Sequence, residues 1–333
     1  ILDISAEVPM EVLDKYDVKL NNAILAEEKH VPVYAEMTEN YKVEYIPGGA
    51  TQNSARVAQW MIQEPQGAVV YCGSVGKDKY GEILRTSAEK DGVTVDYFVD
   101  EETPTGTCAC LIHGKERSLI ANLAAANNYK FTHLKDEQRQ SYLRQAKMYY
   151  IAGFFHTVSP ESIMHVAEHA CAENKPFMMN ISAPFLVQVP IFKERFEAAL
   201  PYMDYLFGNE SEFAALAEAM GWAEKEIPEI VQKVGEVEKK NSQRPRIVIC
   251  TQGKDPTVVY NSHTKEVTKF SVTLIDNEKI VDANGAGDAF VGGFLSQLAK
   301  GKTIDVCVEA GHYAAGVIIQ HSGCTYPEKP AFE

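Results

Sequence analysis

Short apolar runs alternate with helical stretches along much of the chain, and this alternation constrains the fold more than any other feature. The runs have the length of strands and occupy 67–76, 148–155, 176–182, 203–209 and 246–253. Helical candidates lie at 52–62, 80–92, 159–174, 210–221 and 226–240. Because most runs are apolar throughout, they predict strands buried on both faces. The pattern therefore predicts an α/β fold, a doubly wound, mainly parallel sheet with helices on both faces.

Two regions, 16–46 and 97–121, break this pattern. They include the half-polar runs "DVKLNNAILAEEKH" and "TPTGTCACLIHGKERSLIANLAA", whose alternation is typical of strands with one wet face. We expect one large core domain over 1–333, with inserts at about 4–46 and 97–123 forming a small β-sheet lid that closes over the ligand end of the main sheet.

Composition limits the partners and the compartment. The 333 residues carry 32 basic and 46 acidic side chains, a net charge of −14 that argues against nucleic acid or an anionic membrane as partner. No apolar run is long enough to span a membrane. The seven cysteines include no C-x-x-C pair, which predicts reduced, buried thiols in the cytoplasm, with the nucleus also compatible. Because the chain begins without Met inside a predicted strand, we expect residues upstream.

Cys108 and Cys110 fall on one face of a predicted strand. That spacing allows either two core thiols or a metal site, and core thiols are the commoner arrangement.

The segment "DANGAGDAF" at 282–290 predicts an anion site. Gly285 and Gly287 allow the N–H groups from Ala286 to Asp288 to turn toward one point, and the apolar spacing that follows predicts a helix starting at or near Asp288. The free N–H groups and the dipole of that helix would add to the attraction. The alternative is a tight turn in which Asp288 is an N-terminal cap.

Two further segments place polar side chains at the start of predicted helices. In "YIPGGATQNSARVAQWM", Gly49 belongs to a close-approach turn and Asn53 stands at the head of a helix; in "GNESE", Asn209 precedes Glu212. Each pair is compatible with a ligand site or with simple helix capping. Ends of predicted parallel strands add candidates by position, namely Gly153, Asn180, Asn209 and 251–253. Neither a Walker phosphate loop nor a dinucleotide fingerprint is present, which argues against a dinucleotide-dependent oxidoreductase.

Taken together, these motifs resemble those of the ribokinase-like carbohydrate kinases. "DANGAGDAFVGGF" resembles their C-terminal signature, "GGATQNSARVAQ" their N-terminal signature and "GNESE" their N-x-x-E motif. The runs "PTGTCACLI", "RSLIANLAAAN", "YIAGFFHTVSPES" and "TYPEKPAF" narrow the resemblance to members that act on adenosine, and it covers nearly the whole chain in order. It implies a ribokinase-like fold and an ATP-dependent transfer to the 5′-hydroxyl of adenosine, giving AMP and ADP in purine salvage, with Mg²⁺ and K⁺ as cofactors and a monomeric protein.

The resemblance implies a catalytic group around the glycine-rich turn. In these kinases the acid after G-A-G is the general base, so Asp288 is expected to take the proton from the attacking hydroxyl. The N–H groups of Gly285, Ala286 and Gly287 are expected to form the anion hole for the transferring phosphate. Arg117, in "ERSLIA", resembles the arginine that closes on that phosphate.

The resemblance also assigns residues to two small-molecule substrates, adenosine and ATP. Asp3, Gly49 and Asn53 are expected to bind the ribose, since a carboxylate accepts from both hydroxyls of a diol. The adenine slot is expected to be lined by Ile1, Leu25, Leu119, Ala121 and Phe155, which by residue type are equally candidates for the core. The nucleotide groove is expected to comprise Asn180, Asn209, Glu212, Thr251, Gly253, Asn284 and His312, with Glu212 also organising Mg²⁺ through water.

Two departures from the family pattern qualify the resemblance. The family usually has an Asn two residues before the position of Ile1, and it commonly has Thr where Ala283 stands. Without that Asn the ribose site is incomplete in this sequence. The loss of the Thr hydroxyl at Ala283 is expected to affect the conformation of the turn and a nearby monovalent-cation site. The alternatives in activity are a kinase of another nucleoside or sugar, and a nucleoside-binding protein without catalysis.

Overall fold

The computed structural model describes residues 1–20, 22–114 and 116–332; Asn21 and Lys115, which fall inside the two half-polar runs, lie outside the described residues. The chain divides into two compact units. Unit 1 comprises Ile1–Tyr129, Ile275–Ser296 and Tyr313–Glu333, and unit 2 comprises Lys130–Leu274 and Gln297–His312. Both units combine helices with strands, which confirms the predicted α/β class. None of the described helices combines the length and the apolar character needed to cross a bilayer.

The elements of the first 129 residues belong to unit 1. The strands are β1 (Leu2–Glu7), β2 (Ala23–Leu25), β3 (Glu44–Pro47), β4 (Val70–Gly76), β5 (Thr94–Asp100), β6 (Thr107–His113) and β7 (Glu116–Asn122). The helices are α1 (Met10–Lys15), α2 (Pro32–Asn40), α3 (Ala50–Ile62) and α4 (Lys79–Lys90).

The central part of the chain forms most of unit 2. Its helices are α5 (Phe131–Leu134), α6 (Glu137–Gln145), α7 (Pro160–Ala172), α8 (Phe185–Gln188), α9 (Pro190–Ala199), α10 (Glu210–Ala219) and α11 (Ile227–Glu236). Its strands are β8 (Tyr149–Ala152), β9 (Phe177–Asn180), β10 (Tyr205–Asn209), β11 (Ile247–Gln252), β12 (Asp255–Asn261) and β13 (Glu266–Phe270). Two long C-terminal helices, α12 (Ala286–Ala299) and α13 (Ile304–Ile318), contribute residues to both units.

A five-stranded sheet in unit 1 has the order β2-β7-β6-β1-β3. Helices α1 and α2 pack on one face of it, against a cluster that includes Ile4, Ala109, Leu111 and Ile120. Since successive side chains of a strand point to opposite faces, the residues between these positions belong to the other face. The pairings of Asp3 with Cys108 and of Cys108 with Ala121 align that face across β1, β6 and β7. We call it the open face of the sheet.

The half-polar run at 17–30 is only partly a strand. Among the described residues of this run, only Ala23–Leu25 forms a strand, and α2 follows soon after it, inside the region 16–46 that was expected to belong to the small lid sheet. Pro32 occupies the first position of α2, and Val33 and Met37, four residues apart, are both buried. Ala35, which a strand would place on the same face, is exposed, so the burial pattern is helical and packing against the sheet selects a helix here.

Unit 2 contains a six-stranded sheet of order β13-β12-β11-β10-β9-β8. Strands β8 to β11 run parallel, as the apolar runs predict, whereas β12 and β13 add an antiparallel edge. The carboxyl ends of β9, β10 and β11 therefore lie side by side.

At the start of α7, Pro160 is the first helical residue. Ser159 occupies the cap position, but its hydroxyl bonds Ser162 Oγ at 2.7 Å instead of a backbone N–H.

Candidate active site

The glycine-rich turn leads directly into α12. Gly285 has a φ of +77°, a left-handed conformation that favours glycine, and the helix begins at Ala286. Asp288 is therefore inside the first turn and is not the N-terminal cap. Ala286 N–H donates to Ala283 O at 3.3 Å. The N–H groups of Gly287 and Asp288 lie in the first turn, where a helix supplies no acceptor, so the positive end of α12 surrounds the acid.

Asp288 contacts the residue predicted to bind the ribose. Asn53 Nδ2 donates to Asp288 Oδ2 at 3.0 Å, and Ser54 Oγ donates to the main-chain O of Asp288 at 3.0 Å. Helix α3 begins one residue after Gly49, so Asn53 lies in its first turn, with 8% of its surface exposed. No donor within the described part of the chain reaches Asn53 Oδ1. A buried amide oxygen without a donor is costly, which indicates an acceptor held ready for a ligand.

Asp3 lies against the turn that precedes α3. A side-chain carbon on Gly48 would lie 2.8 Å from both Asp3 carboxylate oxygens, so only glycine permits this approach. Burial raises the pKa of Asp3 to about 6, and the nearby Arg117 partly opposes that rise. The open face thus carries a carboxylate beside the turn that contains Gly49.

The apolar residues predicted to line the adenine slot are not core residues. Leu119 and Ala121 are only half-buried on the open face of β7, and Leu25, which pairs with Ala121, is 57% exposed. Ile1 is also half-buried. Phe155 belongs to unit 2, where it lies half-buried in the turn of 3₁₀ helix after β8. The structure therefore brings Leu25, Leu119 and Ala121 together on one surface with Asp3.

Arg117 forms a buried ion pair that sequence reasoning missed. Its guanidinium donates to Asp282 Oδ2 and to Ser5 Oγ, the latter at 2.7 Å. Asp282 also accepts from the N–H groups of Asn284 and Gly323, both at 2.9 Å. Asp282 thereby ties β7 and the C-terminal segment to the start of the glycine-rich turn. The available signal was its position as the first residue of "DANGAGDAF".

Three predicted nucleotide residues end adjacent parallel strands of unit 2. Asn180 ends β9, Asn209 ends β10, and Thr251 lies near the end of β11, where it pairs with Asn209. Asn180 Oδ1 accepts from Ser182 N–H at 2.9 Å, and Thr251 Oγ1 donates to Gly208 O at 3.4 Å. The three residues, which were predicted from their positions at strand ends, therefore lie along one edge of the sheet.

Asn209 and Glu212 form a reciprocal capping box at the start of α10. Glu212 N–H donates to Asn209 Oδ1 at 2.9 Å, and Asn209 N–H donates to Glu212 Oε2 at 3.0 Å. Asn209 Nδ2 donates to Glu212 Oε1, also at 3.0 Å. Burial raises the pKa of Glu212. The capping alternative is thus the observed geometry, and it fixes the carboxylate at the strand edge.

The remaining nucleotide candidates have separate settings. Gly253 follows β11 in the connection to β12. His312 Nε2 lies 2.8 Å from Thr257 Oγ1, and burial lowers the pKa of His312. Asn284 belongs to unit 1, in the glycine-rich turn.

His156, next to Phe155, predicts a pH dependence of stability. It is 1% exposed, no partner among the described residues reaches either ring nitrogen, and burial lowers its pKa to about 4. A lowered pKa means that the unfolded chain binds the proton first, so stability is lost as the pH falls. Between about pH 6.5 and about 4 we expect a loss of roughly 3 kcal/mol in the free energy of unfolding.

Urea unfolding across this pH range measures the effect. His156→Phe should flatten the decline, whereas His263→Asn, a change at an exposed histidine, should leave it in place. An identical decline in His156→Phe and in the unsubstituted protein would contradict the assignment to His156.

The chain matches known proteins along nearly its whole length. The sequence model described as pfkB family carbohydrate kinase matches residues 10–331. Adenosine kinase 1 of Arabidopsis thaliana is 56% identical over 332 residues, covering 100% of this chain and 95% of that protein. The solved structure of Anopheles gambiae adenosine kinase in complex with P1,P4-di(adenosine-5) tetraphosphate has a TM-score of 0.90 at 48% identity, covering 97% of this chain and 94% of the other. Adenosine kinase from Schistosoma mansoni in complex with 2-fluoroadenosine has a TM-score of 0.92 at 33% identity, covering 98% and 95%.

Proposed function

The chain belongs to the pfkB family of carbohydrate kinases, and from this premise we propose that it transfers the γ-phosphoryl group of ATP to the 5′-hydroxyl of adenosine, giving AMP and ADP. The resemblance inferred from the motifs is confirmed for the family and the fold. The observation that carries the proposal within this chain is the contact between Asn53 and Asp288. It places a carboxylate at a helix N-terminus beside an amide with a free acceptor oxygen.

Asp288 acts as the general base in the proposed reaction. As the 5′-oxygen attacks the γ-phosphorus, its proton passes to the Asp288 carboxylate, and the bond between the phosphorus and the bridging oxygen of ADP breaks. The hydrogen bond from Asn53 Nδ2 fixes the orientation of the carboxylate. A positioned base contributes about 10²–10⁴-fold to the rate.

Asp3 and Asn53 bind the ribose in this proposal. The Asp3 carboxylate has two oxygens that accept hydroxyl donors, and Asn53 Oδ1 supplies a further acceptor. Gly49 is part of the turn that carries Asn53 into α3. Of the apolar residues, Leu25, Leu119 and Ala121 on the open face, together with Ile1, offer a surface for the base. The role of Phe155, a residue of unit 2, stays a prediction.

The glycine-rich turn and Arg117 stabilise charge on the transferring phosphate. The N–H groups of Gly285, Ala286 and Gly287 surround the N-terminus of α12, where a helix attracts anions. Arg117 supplies a guanidinium that Asp282 holds in place until a phosphate competes for it. The N–H groups of the turn are fixed by the backbone, so they need no reorganisation when negative charge develops.

For ATP we propose the unit 2 residues Asn180, Asn209, Glu212, Thr251, Gly253 and His312. The assignment of Asn284, a residue of unit 1, to the nucleotide stays a prediction. Mg²⁺ would neutralise phosphate charge. The donor set fits a hard ion held through water, because both Glu212 oxygens already accept from Asn209. Glu212 would therefore orient waters of the ion, and the phosphates would supply its direct ligands.

We also propose a cytoplasmic monomer that serves purine salvage. The free state of all seven cysteines supports a reducing compartment. K⁺ dependence stays a prediction.

Steady-state AMP formation tests the proposed function. With ATP and Mg²⁺, we expect kcat/KM for adenosine to exceed that for inosine or ribose by at least about a hundredfold, because a site with fixed polar partners discriminates strongly. A preference for ribose would indicate a sugar kinase. Binding of adenosine without turnover of any acceptor would instead indicate a nucleoside-binding protein.

A further inference from the structure

Two thiols and a carboxylate meet on the open face of the unit 1 sheet. Asp3 of β1 pairs with Cys108 of β6, and Cys110 lies two residues further along the same strand. One ligand atom of each residue lies within 4.8 Å of the other two. Across residues 1–20, 22–114 and 116–332, this is the one group of three His, Cys, Asp or Glu residues with such spacing.

The position of the two thiols distinguishes them from ordinary core cysteines. The residues that alternate with them along β6, Ala109 and Leu111, pack into the apolar cluster under α1 and α2. Cys108 and Cys110 therefore point away from that cluster, toward the side that carries Asp3. Both are nearly inaccessible, at 6% and 1% exposure, whereas Asp3 is half-buried and marks the side from which an ion enters.

We propose that Asp3, Cys108 and Cys110 form a binding site for a thiophilic divalent cation such as Zn²⁺ or Cd²⁺. Two sulfurs and one carboxylate oxygen are ligands that such ions prefer, and Mg²⁺ does not. Bonds of about 2.3 Å to sulfur and about 2.0–2.2 Å to oxygen require donors closer together than 4.8 Å, the upper limit of their separation here, so at that limit small side-chain rotations complete the site.

Binding replaces protons by the ion. Each thiol releases its proton to solvent as its sulfur bonds the cation, and no electron is transferred. The ion then has three protein ligands, and water takes the fourth position of a tetrahedral site.

The site has a consequence that rests on the proposed function. Because Asp3 is the carboxylate that we assign to the ribose, one residue would serve both ligands. The cation and adenosine would therefore exclude each other, and the ion would act as a competitive inhibitor toward the nucleoside.

Titration of the reduced full-length chain with Cd²⁺ alone tests the site through the ultraviolet charge-transfer absorption of cadmium–thiolate bonds. We expect one Cd²⁺ per chain. Cys108→Ser and Cys110→Ser should each weaken binding at least about tenfold, since each removes a soft ligand. The matched variants Cys72→Ser and Cys171→Ser alter half-buried thiols elsewhere and should bind as the unsubstituted chain does. Circular dichroism confirms that each variant is folded, and Cys108→Ala repeats the test with a smaller side chain.

The outcomes separate the two proposals. Absorption that persists in Cys108→Ser and Cys110→Ser, or that disappears in Cys72→Ser, overturns the metal site. Equilibrium dialysis with adenosine, without ATP, then tests exclusion: we expect Cd²⁺ to raise the apparent Kd for adenosine at least about tenfold. Simultaneous binding of both ligands overturns the exclusion. A chain that binds Cd²⁺ but no adenosine contradicts the proposed function and leaves the metal site standing.

Discussion

Replacement of Asp288 by Asn is expected to lower kcat for adenosine by about 10²–10⁴-fold. The amide keeps nearly the same shape and retains an oxygen that can accept from Asn53, but it cannot take up the proton of the 5′-hydroxyl. KM for adenosine should change by much less than kcat, since the loss falls on the transition state. Steady-state AMP formation, measured with ATP and Mg²⁺, gives both constants.

Asp305→Asn is the matched control for this experiment. Asp305 also lies in the first turn of a helix, α13, but it is exposed. The control therefore separates loss of a base from loss of a helix-terminal charge. Turnover by Asp288→Asn within about tenfold of the unsubstituted enzyme would exclude Asp288 as the base.

Replacement of Arg246 by Met is expected to reduce the free energy of unfolding by about 3–5 kcal/mol. Arg246 is fully buried in unit 2. Its guanidinium donates to five carbonyl oxygens, those of Leu200, Met203, Val234, Val237 and Glu238. Methionine fills a similar volume but donates to none of them, so each carbonyl loses the guanidinium as a donor, and of the five Leu200 O and Val234 O keep the N–H groups of Met203 and Val237. Urea unfolding followed by circular dichroism measures the change.

Two variants make this result interpretable. Arg144→Met removes an exposed arginine of α6 and should cost no more than about 1 kcal/mol. Arg246→Lys keeps a charge but offers fewer donors in a different geometry, so its loss should be intermediate. If Arg246→Met unfolds at the same urea concentration as Arg144→Met, the buried guanidinium is not a principal support of unit 2.

The hydrophobic pattern of the sequence predicted the strands of the parallel sheet and the helices around it. It could do so because the side chains of each element are buried at regular intervals along the chain. Four of the five apolar runs became β8 to β11, whereas the run at 67–76 became β4, which pairs with β5 in a separate two-stranded sheet. The helices at 159–174 and 210–221 correspond to α7 and α10. Similarly, strand ends predicted that Asn180 and Asn209 lie at one edge. The assignment of these residues to a nucleotide stays a prediction.

Contacts between residues distant in the chain were beyond the reach of periodicity. In the sequence Asp282 is one acid in a glycine-rich turn. Its partner Arg117 is 165 residues away, so no local pattern indicates that the two residues pair. The carboxylate of Glu212 was compatible with capping or with an ion, and only the observed hydrogen bonds established the cap. At 32–40, inside the region expected to belong to the lid sheet, the chain forms a helix, in which Val33 and Met37 are buried while Ala35 between them is exposed.

Side chains alternate between the two faces along β1, β6 and β7, so the register of these strands decides which residues lie on the open face. Asp3, Cys108 and Ala121 share that face because each occupies the same phase of its strand. A point substitution changes one side chain there, whereas insertion of a single residue within β7 would exchange its even and odd positions and present Ser118 and Ile120 in place of Leu119 and Ala121. A substitution therefore alters one side chain of the binding surface, whereas a one-residue insertion in β7 replaces every side chain that this strand contributes to it. In evolution, we expect length variation to be confined to the turn at Gly114, which lies outside both strands.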